Sequence, residues 1–321
     1  MPLDILGLVS IDTLDFLDGK SYVGGGGLAT AWISALWDVD TTLYSINSSV
    51  RCNRIIDGNL SKQQCGFHHV PLGVADKTTC FNILQDNRTS DYIYRITHLN
   101  GALGELVSFF AQSKHEQYIK LPASNFFQLK SRCGHFSVNP QGSFNLIEFC
   151  NAINTSGFVF LNKKELLDSS NVSLLGAFKY IENMYQSFVI TLGEEGSICY
   201  YSIDKTWWYC PSIFSDDYIS TLGCGDSFAG GFLAAYIKQK PINECLAQGT
   251  ISAYYTMQSP SNMITRCFDD KSLNHIVELS KYTTSFLSAK DLHEYINSSR
   301  YLHINLDLSF DQLPKFCWLY L

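Results

Sequence analysis

The sequence predicts an α/β protein in which helices cover both faces of a mostly parallel sheet. Apolar segments typical of strands alternate with segments of helical composition through most of the chain. The first of these strands, residues 4–10, is almost continuously apolar, as expected for a strand that a parallel sheet buries on both faces. Acidic and glycine residues follow several of the strands, where such sheets place their ligand-binding groups.

Composition agrees with a globular protein and not with a disordered one. The chain has 321 residues, of which 46% are hydrophobic and 17% charged, and its formal net charge is −7. This charge argues against nucleic-acid and anionic-membrane partners, because both attract basic surfaces. The 11 cysteines form no Cys-x-x-Cys pair and no zinc-like cluster. We therefore expect reduced thiols, no membrane-spanning segment and a cytoplasmic location.

The N-terminal part of the chain contains an acidic residue and a glycine cluster. Asp12 follows the first strand, which makes it a candidate binding residue, although a lone Asp there also suits a turn or a helix cap. Gly24 to Gly27 come next and lead into a helix that begins near Leu28. Glycines let the backbone pass close to a ligand or to another strand.

The same glycines admit a second interpretation. The spacing Gly24-x-Gly26-x-x-Ala29 satisfies the dinucleotide fingerprint, which would make the protein a nicotinamide or flavin enzyme. However, the preceding strand, residues 21–23, is short, and no acidic residue ends the next strand, residues 41–46. The surrounding sequence therefore argues against an oxidoreductase.

The middle of the chain predicts a hairpin and further strands of the sheet. Two β-rich segments within residues 76–98 flank a polar turn, and a hairpin that interrupts a series of strands and helices is expected to form an accessory flap. Residues 157–161 predict a strand that leads to Asn162 and Glu165 at a helix start. The spacing of this pair is also that of a capping box, which is its purely structural explanation.

Later segments predict another glycine turn and two further helices. Residues 188–201 have the pattern of two strands joined by a glycine turn. Residues 242–257 and 272–283 predict helices, whereas the chain beyond about residue 286 is less regular.

The strongest functional signal is the segment 219–237, where Gly223-Cys224-Gly225-Asp226 leads into an apolar helix. The first turn of a helix has unpaired N–H groups and the positive end of the helix dipole, so glycines there form an anion site. Asp226 is then placed to accept a proton from a hydroxyl that attacks a bound phosphate, although helix capping would also explain it. Gly230 and Gly231 cost about 1 kcal/mol each relative to Ala, which indicates close packing.

The segment Thr221–Gly231 resembles the C-terminal signature of the ribokinase-like (PfkB) carbohydrate kinases, in which a Gly-Ala-Gly-Asp turn supplies an anion hole and the catalytic base. Other motifs follow in the order of that family: Asp12, the glycine cluster, the flap, Asn139-Pro140, Asn162 with Glu165, and the turn from Thr191 to Gly196. The resemblance implies a ribokinase-like three-layer αβα sandwich with a mostly parallel central sheet and a small β lid. It implies a kinase domain over residues 1–285, with the lid at 12–24 and 76–98, and a C-terminal extension of unknown role at 286–321.

The resemblance also implies a role for each matching residue. Asp226 would be the general base. The anion hole would consist of the backbone N–H groups of Gly223, Cys224 and Gly225. The nucleotide would contact five residues, namely Asn162, Thr191, Gly193, Gly196 and Thr221. Glu165 would hold Mg²⁺ through water. The acceptor would contact Asp12, Gly25 and Gly26.

The implied activity is transfer of the γ-phosphoryl group of ATP to a hydroxyl of a small sugar, polyol or nucleoside, with Mg²⁺ as cofactor. The resemblance further admits a monovalent cation and a homodimer formed through the lid. The sequence departs from the family pattern in three places: Ser220 precedes Thr221 where the family usually has Asp, Asn139 stands where Asp is frequent, and Leu28, Ala29 and Thr30 occupy a region where an Asn is common. They leave open a second hypothesis, a family member without kinase activity that binds or senses a small molecule.

Overall fold

The computed structural model describes residues 1–15, 19–60, 66–85, 92–98, 115–126, 133–134, 136–213, 218–259, 268 and 270–298. Within these residues the main sheet has ten strands. In spatial order they are β16 (Thr284–Phe286), β15 (Thr206–Cys210), β14 (Ser197–Tyr201), β13 (Ser187–Thr191), β12 (Phe158–Asn162), β10 (Phe136–Gln141), β8 (Glu116–Pro122), β1 (Leu3–Leu8), β4 (Thr41–Ser49) and β5 (Phe67–Ala75).

The strands from β13 to β5 run parallel to their neighbours, whereas β14, β15 and β16 add antiparallel pairs at one edge. The first five residues of β1 are buried, which agrees with its apolar sequence and its central place. The carboxyl ends of the parallel strands lie along one edge of the sheet, and the predicted site residues of β12 and β13 end there.

A second sheet of four strands contains the predicted flap. Its order is β3 (Ser21–Gly24), β2 (Ser10–Leu14), β6 (Thr79–Gln85) and β7 (Tyr92–His98). β2 is parallel to β6 and antiparallel to β3, and β6 and β7 form the hairpin. This small sheet confirms the predicted β lid. A separate pair of short parallel strands joins β9 (Cys133–Gly134) to β11 (Asn154–Thr155).

Helices cover both faces of the main sheet. Those described are α1 (Gly26–Leu36), α2 (Val50–Leu60), α3 (Ala123–Phe126), α4 (Leu146–Ala152), α5 (Lys163–Ser170), α6 (Leu174–Glu182), α7 (Cys224–Ile237), α8 (Ile242–Met257), α9 (Asp270–Ser280) and α10 (Ala289–Ser298), with a 3₁₀ turn at Gly193–Glu195. One buried cluster joins α1, α2, α7, α8 and α9 to one face of the sheet, and a second joins α3, α4, α5, α6 and α10 to the other. The predicted three-layer architecture is therefore confirmed.

None of the helices in the described part of the chain is both long enough and apolar enough to cross a bilayer.

The adjacent glycines in the middle of α7, Gly230 and Gly231, lie at helix contacts, as expected from their cost in helix stability. A Cβ on Gly230 would lie 2.6 Å from the carbonyl oxygen of Thr30 in α1. A Cβ on Gly231 would lie 2.7 Å from the carbonyl oxygen of Gln248 in α8. Both positions therefore allow α7 to approach its two neighbours closely.

The same core continues past residue 285, the boundary that the resemblance implies. β16 pairs with β15, and Ala289 and Leu292 of α10 are buried in the second cluster. The Oγ of Ser288 accepts a hydrogen bond from the backbone N–H of Asp291 (3.1 Å), which stabilises the start of α10. Residue 285 lies inside β16, and residues up to 298 pack against the same core. Residues 299–321 lie outside the described part.

Candidate active site

The predicted base lies in the first turn of α7. Asp226 is the third residue of the helix, and Gly223, its N-cap, has the left-handed φ of 78° that glycine tolerates best. A Cβ on Gly225 would meet nothing within 4 Å, so the helix start is open on that side. The backbone N–H of Cys224 donates to the carbonyl oxygen of Thr221 at 3.2 Å. The turn therefore has room for a ligand at the positive end of the helix dipole.

Ser220 has a local structural role in the turn before α7. It is buried, and its Oγ accepts a hydrogen bond from the backbone N–H of Leu222 (3.1 Å). The backbone N–H groups of Ile219 and Ser220 donate to the carbonyl oxygen of Met257, at 2.8 and 3.2 Å. The turn is thereby attached to the end of α8.

Polar contacts attach α1 to the first turns of α7. Thr30 lies in the region where the family often has an Asn, and its Oγ1 is 2.9 Å from the carbonyl oxygen of Gly26 and 3.1 Å from that of Asp226. The Oγ of Ser34 donates to the carbonyl oxygen of Gly230 at 3.0 Å. The backbone around the base is therefore held by α1.

A lysine that the sequence analysis did not single out contacts the base. In β8, Tyr118 belongs to the cluster on the α1 and α7 face, whereas Ile119 and Leu121 belong to the opposite cluster. Lys120 therefore lies on the α7 face, and its ammonium donates to Oδ1 of Asp226. Burial lowers the pKa of Lys120 to about 8, although the negative charge of Glu165 acts in the opposite direction. The available sequence signal was a lysine between the apolar residues Ile119 and Leu121.

The glycine cluster is explained by a different neighbour at each position. A Cβ on Gly24 would overlap the carboxylate of Asp12, and a Cβ on Gly26 would lie 2.6 Å from Nζ of Lys120. A Cβ on Gly27 would lie 2.7 Å from Cα of Gly7 in β1. Gly25 has a φ of 107° and would meet the carbonyl oxygen of Leu8. These positions allow the small sheet, β1, β8 and α1 to meet at one point.

Asp12 lies at this meeting point, in β2. Its Oδ1 accepts a hydrogen bond from Oγ of Ser10 (2.7 Å), and the backbone N–H of Gly25 donates to the same carboxylate. Burial raises the pKa of Asp12 to about 6, because these two hydrogen bonds offset only part of the lost hydration. The residues predicted to bind the acceptor, Asp12, Gly25 and Gly26, are therefore adjacent, and Lys120 connects Gly26 to Asp226.

The residues predicted to bind the nucleotide lie farther along the same edge. Asn162 and Thr191 end β12 and β13 and are partners in the parallel register. Gly193 begins the 3₁₀ turn with a φ of 67° and open space beside it, and Gly196 has a φ of 98° against the backbone of Cys210. Thr221 lies in the exposed turn before α7.

Asn162 and Glu165 form the capping box that their spacing allows. Oδ1 of Asn162 accepts from the backbone N–H of Glu165 (2.7 Å), and Oε2 of Glu165 accepts from the backbone N–H of Asn162 (2.9 Å). Burial raises the pKa of Glu165, while the Asn162 hydrogen bond and the charge of Lys120 oppose the shift. Asn162 and Glu165 therefore stabilise the start of α5, independently of any contact with a nucleotide.

The acidic residues near this edge fit a loosely held cation better than a protein-built cage. Among the described residues, no group of three or more His, Cys, Asp or Glu side chains could enclose a metal ion. Mg²⁺ commonly keeps several waters and binds through one or two carboxylates together with substrate phosphates. A single carboxylate such as Glu165, acting through water, fits that mode.

The setting of the glycine cluster differs from the one that the dinucleotide fingerprint needs. Gly24 ends β3, which is an antiparallel strand of the small sheet and not a parallel strand of the main sheet. The strand, turn and helix of a dinucleotide-binding unit are therefore not formed there.

Known proteins resemble this chain in sequence. The family model described as pfkB family carbohydrate kinase matches residues 120–266. A cytidine kinase from Thermococcus kodakarensis is 39% identical over 279 residues, which cover 78% of this chain and 93% of that protein. The chain belongs to the pfkB family of carbohydrate kinases. In this pfkB member, the segment that matches the family model contains Asp226 and the residues predicted to bind the nucleotide, whereas Asp12 and the glycine cluster precede it.

Two further comparisons agree with membership of the pfkB family. A nucleoside kinase from Methanocaldococcus jannaschii is 30% identical over 107 residues, which are 33% of this chain and 34% of that relative, so the match spans about a third of the relative's length. The crystal structure of the M. jannaschii nucleoside kinase, described as an archaeal member of the ribokinase family, has a TM-score of 0.65 at 19% identity and covers 87% of this chain and 99% of that one. This likeness shows the ribokinase-like fold.

Proposed function

We propose that this pfkB-family protein is an ATP-dependent kinase that transfers the γ-phosphoryl group to a hydroxyl of a nucleoside, sugar or polyol. The observation that carries the proposal is the position of Asp226, a carboxylate in the first turn of α7 directly after an open glycine turn. On one side of Asp226 lie the residues expected to bind the acceptor. The strand ends with Asn162 and Thr191 supply the expected nucleotide side.

In the proposed reaction Asp226 acts as the general base. The acceptor hydroxyl loses its proton to Asp226 while its oxygen bonds to the γ-phosphorus and the bond from that phosphorus to the leaving oxygen of ADP breaks. The backbone N–H groups of Gly223, Cys224 and Gly225 face the negative charge on the transferred group. The Cys224 N–H exchanges its 3.2 Å hydrogen bond to Thr221 for a phosphate oxygen.

Mg²⁺ is assigned to the nucleotide side, where it would neutralise phosphate charge. Glu165 would hold its waters, while Gly193 and Gly196 let the backbone approach the nucleotide. A monovalent cation and a dimer formed through the lid remain predictions from the resemblance, and a cytoplasmic location remains a prediction from the composition of the sequence.

Nucleosides are the first acceptors to test. Two of the relatives are a cytidine kinase and a nucleoside kinase, which supports this choice. The indole of Trp32, in α1 after the glycine cluster, is fully buried and packs edge-on against Phe67, with 5.9 Å between the ring centroids. It is therefore not available to stack on the base of a nucleoside.

A binding or regulatory protein without turnover is the second candidate. It is favoured by one observation, namely that the carboxylate of the proposed base is already bonded to Lys120. ATP consumption should be measured with a panel of nucleosides, sugars and polyols, together with the melting temperature of the protein. Acceptor-dependent ADP formation supports the kinase. A ligand-dependent rise in melting temperature without any turnover supports the binding protein.

Asp226→Asn tests the proposed base. We expect kcat to fall by roughly 10²- to 10⁴-fold, the usual contribution of general base catalysis, because the amide cannot accept the proton. ATP affinity, measured by calorimetry, should change little. Asp204→Asn, in the exposed turn between β14 and β15, is the matched control and should keep wild-type kcat. Wild-type turnover in Asp226→Asn would exclude the assigned role.

A further inference from the structure

The base is bonded to a lysine that the proposed reaction does not use. Nζ of Lys120 donates to Oδ1 of Asp226, although the two residues are 106 positions apart in the chain. The side chain of Lys120 is 11% exposed and that of Asp226 is 20% exposed. An ammonium so far from water is unfavourable unless a carboxylate compensates it, so the contact constrains both side chains.

The path of this lysine depends on a single glycine. Lys120 reaches from β8 toward α7 and passes Gly26, the first residue of α1, where a Cβ would lie 2.6 Å from Nζ and 2.8 Å from Cδ. Three separate elements therefore determine where the ammonium lies. The charged groups that face Lys120, among the described residues, are Asp226 from α7 and Glu165 from α5.

The contact occupies one of the two carboxylate oxygens of the base. Because Lys120 bonds to Oδ1, Oδ2 is the oxygen that this ion pair leaves available for a proton from the acceptor. Thr30 holds the backbone of the same residue through the carbonyl oxygen of Asp226 (3.1 Å). Side chain and backbone of the base are thus restrained from two directions.

We propose that Lys120 is a positioning residue for phosphoryl transfer: its ammonium holds Asp226 through Oδ1 so that Oδ2 faces the acceptor hydroxyl, and Gly26 is the position that lets it do so. The inference rests on the proposed kinase activity. During the reaction the acceptor proton moves to Oδ2 of Asp226, and Lys120 keeps its own protons and forms no covalent bond. The role differs from a merely structural ion pair, because removing the ammonium should slow turnover without weakening ATP binding.

Lys120→Met and Lys120→Arg separate charge from volume. Methionine fills most of the same space without a charge, and we expect kcat to fall by roughly 10²-fold, the cost of a misplaced catalytic group. The KM for ATP should stay within about twofold, since Lys120 bonds to Asp226 and packs against Gly26, and the capping-box hydrogen bonds that hold Glu165 do not depend on it. Arginine keeps the charge and its hydrogen bonds, so it should recover at least about tenfold in kcat over methionine. Lys281→Met is the control, because Lys281 is exposed and lies directly after α9, and its kcat should equal that of the wild-type protein.

A double-mutant cycle tests the path past Gly26. Gly26→Ala should displace the ammonium and lower kcat to nearly the same extent as Lys120→Ala. In the Lys120→Ala background the lysine is absent, so adding Gly26→Ala should lower kcat at least about fivefold less than it does in the wild-type protein, whereas independent effects would multiply. Circular dichroism and melting temperature show whether each variant is folded.

The outcomes distinguish this inference from the proposed function. Loss of kcat in Lys120→Met, partial recovery in Lys120→Arg and a non-multiplicative cycle support it. Wild-type kcat in Lys120→Met, or fully multiplicative effects in the cycle, would overturn the positioning role while the kinase assignment stands on wild-type turnover. Absence of turnover in the wild-type protein over the whole acceptor panel would overturn both.

Discussion

The buried surroundings of Asp12 disfavour the ionised form of its carboxyl group. Burial raises its pKa from the ordinary value of 3.8 to about 6, against hydrogen bonds from Ser10 and Gly25. The folded state therefore binds this proton more tightly than the unfolded state does. At pH values above 6 the ionised carboxylate lowers the free energy of unfolding, and the cost disappears as the pH falls toward 3.8. A group that destabilises the fold at neutral pH fits a binding role better than a structural one.

Asp12→Asn should stabilise the protein at neutral pH. The amide carries no charge and still accepts from Ser10, so we expect a gain on the order of 1–2 kcal/mol at pH 7.5, allowing for residual solvent near the side chain. Urea unfolding measured from pH 7.5 to pH 4.5 should show the gain shrinking as the pH falls. The KM for the acceptor should rise in the same variant. A gain that is independent of pH would contradict the assigned cause.

At the residue scale, local signals in the sequence predicted Asp226 and Asp12, because the end of a strand and the start of a helix are each marked by neighbouring residues. Lys120 carries no such signal. Its contact joins residues 106 positions apart, and its direction depends on which face of β8 packs against α7. That choice is made by tertiary packing, which no short window of sequence contains.

At the scale of the elements, α7 shows packing overriding helix propensity. Gly230 costs its helix about 1 kcal/mol relative to alanine, yet a Cβ there would lie 2.6 Å from the carbonyl oxygen of Thr30. Thr30 also contacts the carbonyl oxygen of Asp226. The closeness of α1 and α7 thus supports the backbone around the proposed base.

Gly230→Ala should destabilise the protein even though alanine is the better helix former. We expect a loss of about 1–3 kcal/mol, because the methyl group meets backbone that cannot move without shifting α1. Gly58→Ala in α2 is the matched control, since a Cβ there meets nothing within 4 Å. That change should stabilise the protein by about 0.4–1 kcal/mol. Chemical denaturation of both variants would show changes of opposite sign in the free energy of unfolding. An increase in Gly230→Ala would contradict this expectation, because it would mean that α1 shifts to accommodate the methyl group at little cost.

The elements that sequence reasoning resolved least were those at the end of the chain. β16 has only three residues and is stabilised by its pairing with β15. Such a short segment cannot show the alternation of apolar and polar residues by which a strand is predicted. The helix predicted over 272–283 is α9, which ends at Ser280 and is followed by that strand. By contrast, the capping box of Asn162 and Glu165 is a local pattern and formed as its spacing allows.

At the scale of the whole molecule, the small sheet shares its core with the kinase body. Leu14, Val23 and Ile83 come from three of its strands and belong to the same buried cluster as Trp32 and Phe232. A lid that shares a hydrophobic cluster with the main sheet is expected to unfold with it.

Ile83→Ala tests this shared core. Ile83 is 2% exposed, and its truncation should lower the free energy of unfolding by about 2–4 kcal/mol in a single transition that includes the whole core. Ile203→Ala, at a position that is 76% exposed, is the control and should change stability by less than about 0.5 kcal/mol. Two separate transitions in Ile83→Ala would show that the small sheet folds independently.

The two short connections of the small sheet have a mechanical consequence. Val9 alone separates β1 from β2, and Gly25 alone separates β3 from α1. These residues adjoin each other, because a Cβ on Gly25 would lie 3.1 Å from Cα of Val9. Both connections therefore pass from the main body to the small sheet at the same place. A rotation of the small sheet would change the torsion angles of these two residues and of residues 76–78, which join β5 to β6, and Asp12 is only a few residues away from Val9. Opening would therefore move the outer hairpin farther than it moves the carboxylate of Asp12.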